Sequence, residues 1–165
     1  WSAVEVADLL DTSVAAVNSA LQRAREGVRR ATPQQIASRV SDSGEHDIVN
    51  RFMSAWERRD IDALAGLLAQ DVVLRMPPEQ IELIGHRAVA SFFATVPAGG
   101  RLDRFHLMIT GANGCPAVAA YLPDDAGRHV PFGLMVLRLA GGTIVTITGF
   151  PNPALFATFG LPERL

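Results

Sequence analysis

Residues 103–150 read DRFHLMITGANGCPAVAAYLPDDAGRHVPFGLMVLRLAGGTIVTITGF, and the fold turns on how they pair. Four apolar runs stand out: Asp103–Thr110, Ala117–Leu122, Phe132–Leu139 and Thr143–Phe150. Turn residues separate them, at Gly111–Gly114, Asp124–Gly127 and Gly141-Gly142. Gaps this short join strands running in opposite directions, because a parallel pair needs a crossover of about a dozen residues or more. The stretch predicts an antiparallel sheet.

Ahead of it the apolar spacing changes to three and four. Ile48, Phe52, Ala55 and Trp56 share one face of a helix ending near Arg59, and Ile61, Leu64, Leu67 and Leu68 mark a short second helix. A brief strand, Val72–Met76, stops at Pro77-Pro78. Gly85 precedes a third helix with Val89, Phe92 and Phe93 inward, ended by Pro97 and the Gly99-Gly100 loop. A short helix around Ala154–Phe159 follows the last strand. Helices first and strands afterwards is the order of an α+β domain.

Residues 1–30, WSAVEVADLLDTSVAAVNSALQRAREGVRR, read differently. Val6, Leu9 and Leu10 share one helical face, Asp11 and Thr12 break the pattern, and Val14, Val17 and Leu21 start a second helix that Thr12 or Ser13 can cap. This is a helix-turn-helix pattern. Ser13, Ala16, Asn18, Ser19, Gln22, Arg23 and Arg25 are its candidate DNA-binding residues. Ser13 and Asn18 sit where recognition helices read base edges, Ala15 and Ala16 suit a thymine methyl, and Arg23 and Arg25 suit phosphates. The plain alternative is a solvated helix face, which the turn and the cap argue against.

Residues 31–44 are polar, carry Pro33, and read as a linker with a helical turn around Ile36 and Val40. The domains expected are 1–30, a linker 31–44, and 45–165. Hydrophobic residues make up 48% of the 165, enough for a sizeable core, and the net charge of −2 excludes a broadly basic nucleic-acid binder. Four arginines against one glutamate between Ser13 and Arg30 confine any DNA contact to that segment. The single Cys115 suits a reducing, cytoplasmic setting, and no apolar run reaches the roughly 18 residues of a membrane helix. The chain begins at Trp1, and the expectation is a piece of a longer protein.

Two stretches carry a family resemblance. EVADLL at 5–10 followed by TSVAAVNSALQRAR at 12–25 resembles the promoter-reading end of extracytoplasmic-function sigma factors. Residues 45–165 resemble the SnoaL-like domain of the nuclear-transport-factor and ketosteroid-isomerase superfold, through RMPP at 75–78, GHRAVASFF at 85–93, ANGCPA at 112–117 and FATFGLP at 156–162. The order of the two is similar to actinobacterial sigma factors that carry a SnoaL-like extension. The resemblance implies a cone of three helices on a curved antiparallel sheet. It also implies core RNA polymerase and the promoter −35 element as partners, and a regulatory, non-catalytic extension acting by intramolecular contact with the sigma regions. Asp11 stands where such turns commonly hold glycine, and aspartate tolerates left-handed geometry.

The superfold holds a pocket, and an isomerase or cyclase there needs a base in an apolar site plus a donor for the developing oxyanion. Candidate pocket residues are Arg75, Asp103, His106 and Tyr121, with Glu82 and His86 behind them. Strand alternation sets Arg104, His106 and Met108 on one face and Asp103, Phe105 and Leu107 on the other. No acid–base pair shows at a telling spacing, the histidines do not cluster, and no metal or cofactor is expected. The cluster of Phe52, Met53 and Trp56 reads as core. A small-molecule effector of unknown identity is the remaining expected ligand. Leu155, Phe156, Phe159 and Leu161 suit either an interface with the sigma part or a cap on the cone's open end.

Overall fold

The computed structural model describes residues 1–30 and 43–165, in two compact units divided between Ser38 and Arg39. The expected linker, with its turn around Ile36 and Val40, lies outside the described residues except at its last two positions, which belong to a helix.

The first unit is a pair of helices, α1 (Ala3–Leu9) and α2 (Val14–Arg30). Ser2 and Glu5 cap the start of α1 reciprocally, the Ser2 hydroxyl accepting from the Glu5 amide and the Glu5 carboxylate from the Ser2 amide. At its other end the Thr12 amide donates to the Ala7 carbonyl at 2.9 Å, and Asp11 takes the left-handed conformation with φ 48°. Ser13 then caps α2, its hydroxyl accepting from the Ala16 amide at 3.1 Å. Only part of the apolar face is covered. Ala7 and Val17 are buried, whereas Leu9 and Leu10 are 69% and 64% exposed. Two short helices meet along one line, which is too narrow to cover every apolar position of both.

The second unit is α+β. Its helices are α3 (Ser43–Glu57), α4 (Ile61–Leu67), α5 (His86–Thr95) and a short α6 (Leu155–Thr158). Arg59, left-handed at φ 55°, ends α3, and the Asp60 carboxylate caps α4 by accepting from the Ala63 amide at 2.9 Å. Its strands are β1 (Leu68–Arg75), β2 (Glu82–Ile84), β3 (His106–Ala112), β4 (Cys115–Pro123), β5 (His129–Ala140) and β6 (Thr143–Phe150). They form one sheet in the order β2-β1-β6-β5-β4-β3.

The last four strands pair antiparallel, as their short turns dictate. The expectation of a wholly antiparallel sheet fails at one seam: β1 runs parallel to β6, so the sheet is mixed. β1 and β6 are far apart in sequence, and the intervening helices and strands serve as the crossover that parallel pairing needs. β2, three residues long beside β1, carries no period-two signal to find it by. The strand expected from Asp103 begins only at His106, because Leu102–Arg104 forms a 3₁₀ turn clamped by a two-pronged Arg101–Asp103 ion pair.

Alternation along β4 divides the core. Val118 and Ala120 face the helices and join Phe52, Trp56, Leu64, Val89, Phe93 and Ile147 in the main cluster. Ala119 and Tyr121 face the other way and meet Leu134 and Phe156, so α6 and the tail beyond it pack on the outer face of the sheet. Leu155, Phe156 and Leu161 thus pack on the outer face of the sheet and not over the cone's mouth, and Phe159 stays exposed. β5 carries one extra residue, Phe132, between the partners of Ala120 and Tyr121. Such a bulge bends a strand and re-aims a side chain. Gly133 beside it is obligatory for space: a Cβ there would lie 2.5 Å from the Phe150 carbonyl oxygen.

Candidate functional site

The helix-facing side of the sheet and the helices enclose a cavity of about 160 Å³. Its buried lining includes Trp56 of α3, Leu74 of β1, Phe93 of α5, Ala120 of β4 and Ile147 of β6. Val96, Phe132 and Pro151, all exposed, mark its mouth. Aromatic rings run from the inner end outward. Trp56 stands edge-on to Phe93 at 5.0 Å between ring centroids and to Phe105 at 5.8 Å, and Phe105 meets Phe132 at 5.2 Å. The bulge is what turns Phe132 toward this opening.

Every lining residue is apolar or glycine, with no carboxylate, imidazole, hydroxyl or guanidinium among them. The described residues contain no buried charged side chain. Trp56 Nε1 is the one buried side-chain nitrogen or oxygen among them that lacks a hydrogen-bond partner. Groups that could start general acid–base chemistry are absent from the lining, and no cluster of three or more potential metal ligands occurs among the described residues.

The four candidate pocket residues lie elsewhere. Arg75 is exposed and paired across strands with Glu82, Nε to Oε2 at 2.5 Å. Asp103 is held in its 3₁₀ turn by Arg101, whose hydrogen bonds keep the Asp103 carboxyl below the usual carboxylate range. His106 is exposed beside His129, ring centroids 5.6 Å apart, on the outer side with its register partner Tyr121. Tyr121 is buried on the outer face, against Phe156, and burial raises its phenol above the usual value. His106 and Tyr121 are register partners on the outer face, and none of the four lines the cavity. Sequence reasoning looked for polar groups and passed over the lining itself. Phe105, on the strand face opposite His106, and the inward pair Phe92 and Phe93 were its available signals.

In the first unit, Ser13, Ala16, Asn18, Ser19, Gln22, Arg23 and Arg25 are all exposed. On a helix of 3.6 residues per turn, Ser19, Gln22 and Arg23 fall on the arc away from the buried Val17, and Asn18 and Arg25 lie beside it. Gln22 also donates to Glu26 at 3.4 Å.

A mixed sheet backed by helices over an apolar cavity defines a SnoaL-like fold. The family model described as "SnoaL-like domain" matches residues 49–147, and the chain belongs to that family. Over its whole length it is 38% identical to the ECF RNA polymerase sigma factor SigG of Mycobacterium tuberculosis, of which it spans 45%. It is 28% identical to SigJ of the same organism, with 97% of the chain matched to 54% of that protein. The crystal structure of SigJ, an extracytoplasmic function sigma factor, superposes with a TM-score of 0.53 at 23% identity, covering 97% of this chain and 56% of that one. A putative ketosteroid isomerase from Kribbella flavida shares the fold at a TM-score of 0.51 and 21% identity, covering 65% and 76%. The resemblance to sigma factors that carry a SnoaL-like domain is therefore borne out. The chain spans about half the length of those curated relatives. No helix among the described residues is long and apolar enough to cross a membrane.

Proposed function

We propose that this chain is the promoter-reading end and regulatory extension of an extracytoplasmic-function sigma factor, working in the cytoplasm with core RNA polymerase. The observation that carries the reading is the 38% identity to SigG along the whole chain, helices α1 and α2 included. In it, α2 enters the major groove of the −35 element. Ser13, Ala16 and Asn18 meet bases, and Ser19, Gln22, Arg23 and Arg25 meet bases or phosphates. The SnoaL-like domain modulates initiation through contact with the sigma regions rather than by catalysis. Its apolar cavity supports the non-catalytic part, because an isomerase or cyclase would need a base and an oxyanion donor there.

The test is reconstituted transcription with a chimaera in which this chain replaces the matching part of SigG. Three forms are compared: the full chimaera, one cut before Glu45, and one cut after Phe150. The reading expects promoter-specific initiation by the full form and altered initiation in the cut forms. Equal initiation by all three would remove the regulatory role, and no initiation by any would remove the sigma reading.

A further inference from the structure

We infer that the cavity is a receptor for an uncharged, largely hydrocarbon ligand of one or two rings, recognised by shape and aromatic contact with no ionisable side chain as anchor. This deepens the reading of the SnoaL-like domain as regulatory, and it rests on that reading only for its consequence, not for the binding itself.

The size sets the lower bound. An apolar cavity near 150 Å³ accepts a benzene-sized guest and does not hold water well, because ordered water needs about two to four polar partners. This cavity has about 160 Å³ and opens past Phe132, so a second ring can extend to the mouth. The lining sets the charge. With no ionisable side chain to pair it, a carboxylate or ammonium inside would lose its hydration uncompensated. The rings of Trp56, Phe93, Phe105 and Phe132 meet edge-on along the cavity, which favours a flat guest.

Two small residues determine the room. Ala120 presents only a methyl group from the sheet. Gly149 presents none, and a Cβ there would make ordinary contact with Met76 Cγ at 3.5 Å. Ala120→Leu therefore fills the cavity, and Gly149→Ala trims it without backbone strain. Gly133 is unsuitable for the same test, since its Cβ would collide with backbone.

Trp1 and Trp56 are the only tryptophans, and they are 93% and 2% exposed. Trp1→Phe leaves Trp56 as a reporter within the cavity wall. The full 165-residue chain with this change is titrated with naphthalene and with its charged derivative 2-naphthoate, by Trp56 emission and by calorimetry. The expected result is saturable one-to-one naphthalene binding, at least tenfold weaker binding of 2-naphthoate, and at least a tenfold loss in Ala120→Leu. Gly149→Ala should show a smaller loss at an unchanged Tm, which keeps the test open should Ala120→Leu fold poorly. Absence of saturable naphthalene binding, equal affinity for 2-naphthoate, or undiminished binding in a folded Ala120→Leu would each overturn the inference. No DNA or polymerase enters these measurements, so their failure is separate from failure of the transcription experiment.

Discussion

Tyr121 donates its phenolic hydrogen to the carbonyl oxygen of Pro162, 3.1 Å away, from a side chain sealed between the outer face of the sheet and Phe156. One hydrogen bond from near the end of β4 thus ties down the segment that follows α6. Leu165 adds a second tie, its amide donating to the His129 carbonyl at 3.0 Å. Tyr121→Phe should cost about 1 kcal/mol, the net worth of a typical hydrogen bond, and should speed amide exchange at Leu165. Phe156→Ala should cost about 3–4 kcal/mol, since it removes a fully buried ring and leaves a hole. Denaturant melts of both variants check the order.

Alkaline pH probes the same residue. Burial raises the Tyr121 phenol in the folded state, so the unfolded chain ionises first. The contribution to stability is complete below the ordinary tyrosine value of about 10 and is lost as pH rises through the folded value. Spectroscopic titration should show tyrosinate appearing together with loss of structure, and Tyr121→Phe should flatten the stability decline above that pH.

The turn between α1 and α2 makes a local prediction. Ser13→Ala removes the cap on α2 and should cost about 1 kcal/mol of local helix stability. Asp11→Gly should be neutral or stabilising by up to about 1 kcal/mol, because glycine adopts a left-handed conformation without the Cβ penalty. Amide exchange across Val14–Val17 reads both effects.

On DNA, the chain alone should bind promoter fragments weakly, since few basic side chains are available to displace counterions. In the SigG chimaera, Arg23→Ala should weaken binding at every sequence and lower the salt dependence. Asn18→Ala should instead change preference within the −35 element, by roughly 1–3 kcal/mol at the base concerned. Footprinting that shows neither change would take α2 out of the groove.

Ketosteroid and polyketide-like substrates should not turn over. Isomerisation that disappears in Asp103→Asn or His106→Ala would contradict this, and would be surprising given that both residues lie outside the cavity.

Much of this fold was legible in the sequence because its signals are local. The strands from β3 to β6 announce themselves by tight turns, and Phe52, Trp56, Val89 and Phe93 by helical spacing. The β1–β6 seam was not legible, since nothing in the short apolar run at Val72–Leu74 specifies a distant parallel neighbour. The candidate pocket residues illustrate a different limit. Asp103 and Arg75 are polar residues near strand ends, and their partners Arg101 and Glu82 turn them into surface ion pairs. Tyr121 was expected in the pocket and lies on the other side of the sheet, because alternation alone does not say which face the helices cover. The helical pattern in residues 1–30 placed both helices and the cap, but a shared apolar face did not tell that Leu9 and Leu10 would stay exposed.

The pairing of β1 with β6 makes the domain indivisible during synthesis. β1 and β2 reach the rest of the sheet only across β6, so Leu74 finds its neighbour Ile147 after nearly all of the domain has been made. Helices α3 to α5, laid down first, have no complete surface to rest on until then. A ribosome that stalls between Leu83 and Thr143 would therefore hold exposed aromatic side chains of the future core, with Phe52 and Trp56 the first in line for a chaperone, and non-local pairing of this kind also slows folding once the chain is free.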